Sequence, residues 1–380
     1  MLKELKRYSI SPRREIKEFL TTLGLHELAQ AAINIFEPVY LFSLGYSMFQ
    51  IVLFYLGVYC LYFVVMPFGG KAAKRFGFEH TMSVGILFSI GYFLALIAVP
   101  ASPVFLYLAI VLYALQKTFW WPGYHANFAL YSRSKETGRE IGATQVIFSI
   151  TAAVGPLLGG LLVNYSSFTV LYVVAMGLML ASVIPILSTA EKFKPSTITW
   201  REQMRFLFCR AYLRKIIAGF GFGEEIIAYT VWPVFIYLLV GNALNLGALI
   251  AGATGLTVLA TTIAARWSDS EARRDVFLWG GLLNTLSWIG RPFLIWPLAL
   301  LGIDTVYRTG KSLQFVPMYA NVYDDAKSRH IVLEVVAFEG VLVLGKIVTL
   351  ALLLVVLPWF GFAGAFALAA VASLFYFLFK

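Results

Sequence analysis

The sequence is short of charge and of cysteine, and each shortage excludes a class of protein. Only 13 % of the 380 residues are charged, against about 25 % in an average soluble domain. So low a charge content excludes a disordered chain and a coiled coil, whose outer positions are charged. The two cysteines, Cys60 and Cys209, lie in opposite halves of the chain and indicate neither a disulfide framework nor a metal site.

Apolar residues are abundant instead. They make up 60 % of the chain, and the mean hydropathy is +0.79. A membrane-spanning helix needs about 20 apolar residues, so this composition provides for about eleven or twelve spans. Long apolar runs argue against a membrane β-barrel, whose strands read as short alternating segments. We therefore exclude a soluble enzyme and predict an all-α, multi-pass integral membrane protein.

Apolar runs broken by short polar segments predict twelve spans, which we number in chain order. They lie near residues 19–43, 47–69, 79–99, 103–131, 138–164, 167–188, 212–240, 244–266, 274–290, 293–320, 329–355 and 360–379. Lysine and arginine gather before span 1, after spans 2, 4, 8 and 10, and in the central segment. By the positive-inside rule, both termini and that segment are cytoplasmic. This topology accounts for most of the net charge of +10, which in a soluble chain would suggest nucleic acid.

The two halves of the sequence share a pattern. Pro38 of span 1 corresponds to Pro233 of span 7, and Lys117 of span 4 corresponds to Lys311 of span 10. With six spans in each half, both halves run in the same direction, as in parallel transporter repeats. The predicted organisation is an N-terminal six-helix bundle, a cytoplasmic linker with an amphipathic segment, and a C-terminal six-helix bundle, over residues 1–188, 189–211 and 212–380.

Two glycine-containing motifs accompany this repeat. The loop after span 2 reads Gly70-x-x-x-Lys74-Arg75-x-Gly77, and the matching loop after span 8 contains Asp269 and Arg273. Span 5 contains Gly142, Thr151 and the run Gly155-Pro156-x-x-Gly159-Gly160. Small residues at this spacing let helices approach closely, and the proline bends the helix.

With these motifs the chain resembles the major facilitator superfamily over essentially its whole length. The resemblance implies the fold of that family, in which spans 1, 4, 7 and 10 line a central cavity. It also makes the two loop motifs and the span 5 motif candidate gates, at Gly70, Arg75, Gly77, Asp269, Arg273, Gly155, Pro156, Gly159 and Gly160. The loop motif departs from the family where Lys74 replaces an acid, which questions the gate of the first half. The span 5 motif resembles that of drug–proton antiporters, with Thr151 in place of one glycine. Simple helix packing is the alternative interpretation of the span 5 motif.

Eleven charged residues fall inside predicted spans, where each costs about 2.5–3.5 kcal/mol on insertion scales. The acids are Glu27, Glu37, Glu224, Glu225, Asp304, Glu334 and Glu339, and the bases are Lys117, Arg308, Lys311 and Lys346. Seven acids against four bases leave three carboxylates without a basic partner. An unpaired carboxylate in low dielectric takes up a proton more readily than in water. We therefore predict proton coupling through Glu27, Glu225 or Glu339, and we expect Glu37, at the outer end of span 1, to contact water.

Helical spacing gathers polar and aromatic side chains on one face of each of spans 1, 4, 7 and 10. The resemblance places these faces in the cavity. The predicted substrate-binding residues are Glu27, Gln30, Lys117, Trp121, Tyr124, Glu225, Tyr229, Trp232, Asp304, Arg308 and Lys311. The aromatic residues of this set, together with Trp120, have two interpretations. They either surround a bound cation, or they pack against other helices and lie at the membrane interface.

Several of these residues have a second interpretation. Glu225 is either a proton carrier or cation anchor, or the partner of Arg308 or Lys311 in an ion pair between helices. Asp304 and Arg308 are spaced to pair within one helix. Lys117 either binds an anionic substrate or neutralises a carboxylate.

The sequence thus predicts a secondary transporter that works by alternating access. We expect proton-coupled antiport that expels small cationic or amphipathic organic compounds. Uptake of a sugar or organic anion on Lys117, Arg308 and Lys311 is one alternative, and a non-transporting receptor or scaffold is another. No enzymatic constellation, cofactor or metal site is predicted. The expected partners are a small-molecule substrate, protons and the lipid bilayer, and no nucleic acid. We expect a monomer in a bacterial or archaeal plasma membrane.

Overall fold

The computed structural model describes residues 12–131, 137–188, 200–265, 273–328 and 331–378. These residues are almost entirely helical, and no β-strand occurs among them. We refer to residues 12–188 as the first half and to residues 200–378 as the second half. Of the predicted loop motif residues, Asp269 lies outside the described residues.

The helices of the first half correspond to the predicted spans in order. They are α1 (Pro12–Ile33), α2 (Phe36–Ser43), α3 (Met48–Phe76), α4 (Phe78–Ala98), α5 (Val104–Tyr131), α6 (Thr137–Tyr165) and α7 (Phe168–Ile186). The helices of the second half are α8 (Trp200–Leu207), α9 (Arg210–Gly219), α10 (Gly223–Val240), α11 (Ala243–Ala265), α12 (Arg273–Gly290), α13 (Pro297–Ser328) and α14 (Ile331–Leu374). Short 3₁₀ segments cover Phe220–Phe222, Arg291–Phe293 and Phe375–Leu378.

Eight helical segments of the described chain are long and apolar enough to cross a membrane. The last of them, Ala337–Leu378, has 42 residues, which is about 63 Å of straight helix and roughly twice the thickness of a bilayer core. It is interrupted at Gly361, whose backbone is not helical, and it covers parts of both predicted spans 11 and 12. Helices α12 and α13 are not among the eight, because each carries three charged residues within 18 residues. The count of twelve spans stays a prediction.

Turn residues fix where several helices begin and end. Ser47 accepts a hydrogen bond from the backbone N–H of Gln50, whose side chain accepts one from the backbone N–H of Ser47 in return, so α3 begins with a capping box. Gly77 alone separates α3 from α4, with φ +101°. Only glycine adopts this backbone region at low cost, which explains the glycine at this place in the predicted loop motif.

Glycines of α6 allow close helix approaches. A Cβ on Gly155 would meet Ala31 of α1, and one on Gly159 would meet the carbonyl oxygen of Ala32 and the ring of Phe36. A Cβ on Gly160 would instead meet the backbone of α11. The span 5 motif therefore packs α6 against both halves, and its implication of antiport stays a prediction.

The two halves touch at several places. Besides the α6–α11 contact, α3 packs against α14 and α2 packs against α10. Leu207 at the end of the linker helix α8 is buried against Val341 of α14, with Phe63 of α3 beside this cluster. The described part of the predicted amphipathic segment therefore packs on the helices, and the space left between the halves forms the candidate site.

Candidate functional site

A cavity of about 320 Å³ lies between the two halves, and we call it the main chamber. Helices α1, α2, α3 and α5 line it from the first half, and α10, α13 and α14 line it from the second. Its wall is rich in charge and aromatic surface. The charged groups on the wall are Glu27, Glu37, Lys117, Glu225, Glu339 and Lys346.

A second cavity of about 290 Å³ adjoins it, and we call it the side chamber. Both chambers are lined by Glu27, Asn34 and Tyr229. The side chamber is otherwise enclosed by α6, α10, α11 and α13, with Asp304 and Arg308 as its remaining charges. Glu27 is therefore the carboxylate that both chambers share.

Most predicted substrate-binding residues line a chamber. The main chamber takes Glu27, Gln30, Lys117, Trp121, Glu225, Tyr229 and the predicted proton group Glu339. The side chamber adds Trp232, Asp304 and Arg308. Two lie outside both linings. Tyr124 is buried beside the rings of Trp120 and Trp121, and Lys311 is buried within a network of side chains.

That network holds the carboxylates of α10. The Lys311 ammonium lies 2.5 Å from Glu224 Oε1 and 3.1 Å from Glu225 Oε1. The Lys346 ammonium lies 3.1 Å from Glu225 Oε2. The predicted ion pair between Glu225 and Lys311 is therefore present, and Lys346 is a second partner that the spacing did not indicate.

Glu224 is the more deeply placed of the two neighbours and has no exposed surface. Trp288 Nε1 donates to its Oε2 at 3.0 Å, and Asn284 Nδ2 donates to its Oε1 at 3.3 Å. The Tyr376 hydroxyl lies 2.7 Å from the Lys311 ammonium. A buried ion pair with these additional hydrogen bonds is compatible with a low-dielectric interior, and the loss of one partner would leave an uncompensated buried charge.

Asp304 is the centre of a second buried network. Its Oδ2 accepts from Arg308 Nε at 2.6 Å, as the i,i+4 spacing predicts. Its Oδ1 accepts from Trp232 Nε1 at 2.9 Å and lies 3.4 Å from Arg291 Nη2. Two guanidinium groups thus share one carboxylate.

The sequence analysis missed Arg291. Its guanidinium is completely buried, at 3.6 Å from the ring centroid of Trp288, 4.0 Å from that of Trp232 and 4.5 Å from that of Tyr307. It raises the number of intramembrane bases from the predicted four to five. Part of the predicted cation cage, at Trp232, is therefore filled by a cation of the chain itself. The signal for it was an arginine directly before Pro292 at the end of a predicted span.

The first half holds its charges differently. Glu27 Oε1 lies 3.2 Å from His26 Nδ1, and it has no lysine or arginine partner in the described part of the chain. The imidazole of His26 stacks on Trp120 at 3.5 Å between ring centroids, and its Nε2 is buried without a hydrogen-bond partner. Among the described residues, His26 is thus the one basic side chain that contacts the Glu27 carboxylate.

Glu37 and Lys117 are also held mainly by aromatic side chains. The Tyr55 hydroxyl donates to Glu37 Oε1 at 2.5 Å, and Glu37 is 3 % exposed. Our expectation of a water-exposed Glu37 was wrong, because the tyrosine supplies the hydrogen bond that water would have made. The Lys117 ammonium lies 4.2 Å from the ring centroid of Tyr113 and 5.4 Å from that of Tyr59.

The predicted gate residues of the loops lie apart from the chambers, whereas Pro156 of the span 5 motif lines the side chamber. Gly70 and Lys74 are buried near the end of α3, whereas Arg75 is exposed and its guanidinium lies over the ring of Phe76. Arg273 begins α12, but its side chain lies outside the described part. Glu339, by contrast, accepts from the Tyr62 hydroxyl at 3.3 Å across the two halves. Within the described residues, no group of three His, Cys, Asp or Glu side chains could hold a metal ion.

Comparison with known proteins gives two findings. A family model described as Major Facilitator Superfamily matches residues 19–224. The chain is also 27 % identical over 246 residues to a protein of Photorhabdus laumondii subsp. laumondii named Multidrug resistance protein MdtH. That match covers 63 % of this chain and 59 % of the relative, so the chain spans less than two thirds of the relative's length.

Proposed function

This chain belongs to the Major Facilitator Superfamily, and on that premise we propose that it moves a small organic compound across a membrane by alternating access. Such transporters hold the substrate near the bilayer midplane, between two repeats that rock against each other. The two chambers between the halves support this proposal, because both are lined by helices of the first half and of the second.

The proposed architecture follows the sequence. Twelve spans form two six-helix bundles over residues 1–188 and 212–380, with both termini and the linker in the cytoplasm. We propose that the protein acts as a monomer.

We propose that the transported compound carries a positive charge and an aromatic or apolar body. The observation that carries this proposal is Glu27, a carboxylate on the wall of both chambers with only His26 as a charged partner in the described chain. Trp121 and Tyr229 line the same space and offer ring faces that attract cations. The name of the relative, a multidrug resistance protein, agrees with export of such compounds.

Coupling to protons follows from competition at Glu27. A proton bound by the carboxylate removes the charge that holds the cation, so protons entering the chamber expel the substrate. Glu225 suits this role less well, because the ammonium groups of Lys311 and Lys346 already hold both of its oxygens. Inward flow of protons would then drive export of the compound.

One observation favours a second candidate function. Lys117 lines the main chamber and forms no salt bridge within the described residues. An organic anion could bind there, whereas the other predicted anion anchors, Arg308 and Lys311, are already paired with carboxylates. Lys117 alone would then define an anion transporter.

Transport into proteoliposomes tests the proposal. 1-Methyl-4-phenylpyridinium, an aromatic cation of two rings, should accumulate when a pH gradient is imposed so that protons leave the vesicles as the cation enters. Glu27→Gln should abolish this accumulation, and the matched variant Asp275→Asn, at an exposed position of α12, should keep it. Accumulation that is unchanged in Glu27→Gln would contradict proton coupling at Glu27, and accumulation of organic anions alone would favour the second candidate.

A further inference from the structure

Lys117 is a buried cation without a fixed counter-charge. Its side chain is 9 % exposed, and no carboxylate of the described chain lies within salt-bridge distance of its ammonium. Burying an unpaired charge is costly, and chains avoid it unless a partner is supplied. The rings of Tyr113 and Tyr59 compensate part of this cost, but neither carries a negative charge.

The carboxylates around Lys117 are engaged elsewhere. Glu37, whose charge acts on Lys117 from a greater distance, accepts the short hydrogen bond from Tyr55. Glu225 is held by two lysines of the second half. The other lysine of the main chamber, Lys346, is one of these partners. Of the two lysines that line the main chamber, Lys117 is therefore the one whose ammonium forms no salt bridge within the described residues.

Glu27 lines the same chamber and carries the opposite charge. Lys117 lies one helical turn before Trp120 on α5, and Trp120 stacks on His26, the neighbour of Glu27 on α1. Both Lys117 and Glu27 line the main chamber. Within the described residues, Lys117 forms no salt bridge and Glu27 has no lysine or arginine partner, so a ligand in this cavity meets an ammonium and a carboxylate that can pair with its own charged groups.

We infer that the substrate class is an aromatic zwitterion, whose anionic group pairs with Lys117 and whose cationic group pairs with Glu27, with its ring against Trp121 and Tyr229. The inference rests on the proposed function and names the substrate class of the same site. A cavity of about 320 Å³ lies at the small end of the range for ligand pockets, about 300–1,000 Å³, so it suits a compound of one or two rings. Protonation of Glu27 would release the cationic end, while Lys117 keeps selecting for the anionic one.

The test compares three ligands that share one skeleton. Phenylalanine is the zwitterion, its methyl ester is a cation, and its N-acetyl derivative is an anion; tryptophan and 4-(aminomethyl)benzoate provide the same three forms on other skeletons. Binding to the purified full-length protein is measured by quenching of tryptophan fluorescence and by thermal shift. On at least one skeleton the zwitterion should bind about tenfold more tightly than either singly charged form, since each charged pair contributes separately.

Two variants then assign each charge. Lys117→Gln should lower the affinity for the zwitterion to that for the ester and leave the ester's affinity unchanged. Glu27→Gln should lower the affinity for the zwitterion to the affinity for the N-acetyl form. It should leave the affinity for the N-acetyl form unchanged. Lys17→Gln, at an exposed position of α1 outside both chambers, is the matched control and should change nothing.

The outcomes separate this inference from the proposed function. Esters that bind as tightly as zwitterions on every skeleton, with Lys117→Gln inert, would overturn the zwitterion and leave cation export standing. Binding of none of the nine compounds would also overturn it. Zwitterion binding with both variant effects, but without pH-driven transport of either the zwitterion or 1-methyl-4-phenylpyridinium, would support the substrate class and contradict proton-coupled export.

Discussion

The two halves of the protein stabilise intramembrane charges in different ways. In the second half, Glu224 and Glu225 are paired with Lys311, and Asp304 is paired with two arginines, whereas Glu339 accepts a hydrogen bond from the Tyr62 hydroxyl of the first half. In the first half, the charged groups of the main chamber are held by tyrosine hydroxyls, ring faces and one histidine. The carboxylates of α10 and α13 therefore form a framework of ion pairs, and the first half presents charges that a ligand or a proton can satisfy.

The charged residues that form ion pairs in the second half are therefore distinguished from those of the first half that are available to a ligand. A buried charge whose partner is removed destabilises a protein strongly, whereas removing a charge without a partner relieves a cost. Substitutions in the second half should therefore act mainly on folding, and substitutions in the first half should act mainly on binding and transport. The predictions below compare the halves on that basis.

The largest effect on stability is expected for Asp304→Asn. The change leaves the buried guanidinium of Arg291 and that of Arg308 without a carboxylate, and the expected loss of unfolding free energy is about 3–5 kcal/mol. Thermal unfolding in detergent measures it, with Asp275→Asn as the exposed control. Adding Arg291→Met to Asp304→Asn should recover part of the lost unfolding free energy. An Asp304→Asn variant as stable as the native protein would contradict the paired framework.

A smaller effect is expected where the first half depends on close helix contact. Gly159→Ala places a Cβ against the Ala32 carbonyl and the Phe36 ring, and we expect a loss of about 1–3 kcal/mol from overpacking. Gly177→Ala in α7 is the matched control, because a Cβ there meets open space. Equal unfolding temperatures for the two variants would show that α1 and α6 are not packed as described.

The smallest effect on stability is expected for Lys117→Gln. Because Lys117 has no salt bridge in the described chain, its loss should change the unfolding free energy by less than about 1 kcal/mol. Lys311→Gln is the equivalent change in the second half. It should lower the unfolding free energy far more, since it leaves Glu224 buried without its lysine. Similar losses for the two variants in parallel unfolding experiments would remove the contrast between the halves.

The sequence predicted the elements of the fold better than the pairings of the site. Apolar runs placed the helices close to their observed bounds, and helical spacing gave the pair of Asp304 with Arg308. Spacing along one helix does not predict contacts between helices. The contact of Lys346 with Glu225 and that of Tyr376 with Lys311 were therefore not predicted. Arg291 was not counted among the charged residues of the spans, because it lies directly after the predicted span 274–290.

The prediction of a solvated Glu37 failed for the same reason. Its position at the outer end of span 1 suggested water, but Tyr55 of the next span fills that place. The surplus of carboxylates was also overestimated, since Arg291 adds a base to the count. Of the two carboxylates that remain in excess, one lies in the first half, where the sequence analysis already named Glu27.

Proton release on ligand binding tests the central claim most directly. Purified protein in weakly buffered detergent solution is titrated with 1-methyl-4-phenylpyridinium at several starting pH values, and the change in pH is recorded. Competition at Glu27 predicts release of up to about one proton for each cation bound, by linkage, and no release from Glu27→Gln. Glu225→Gln should still release protons. Undiminished release from Glu27→Gln, or none from the native protein, would contradict the account.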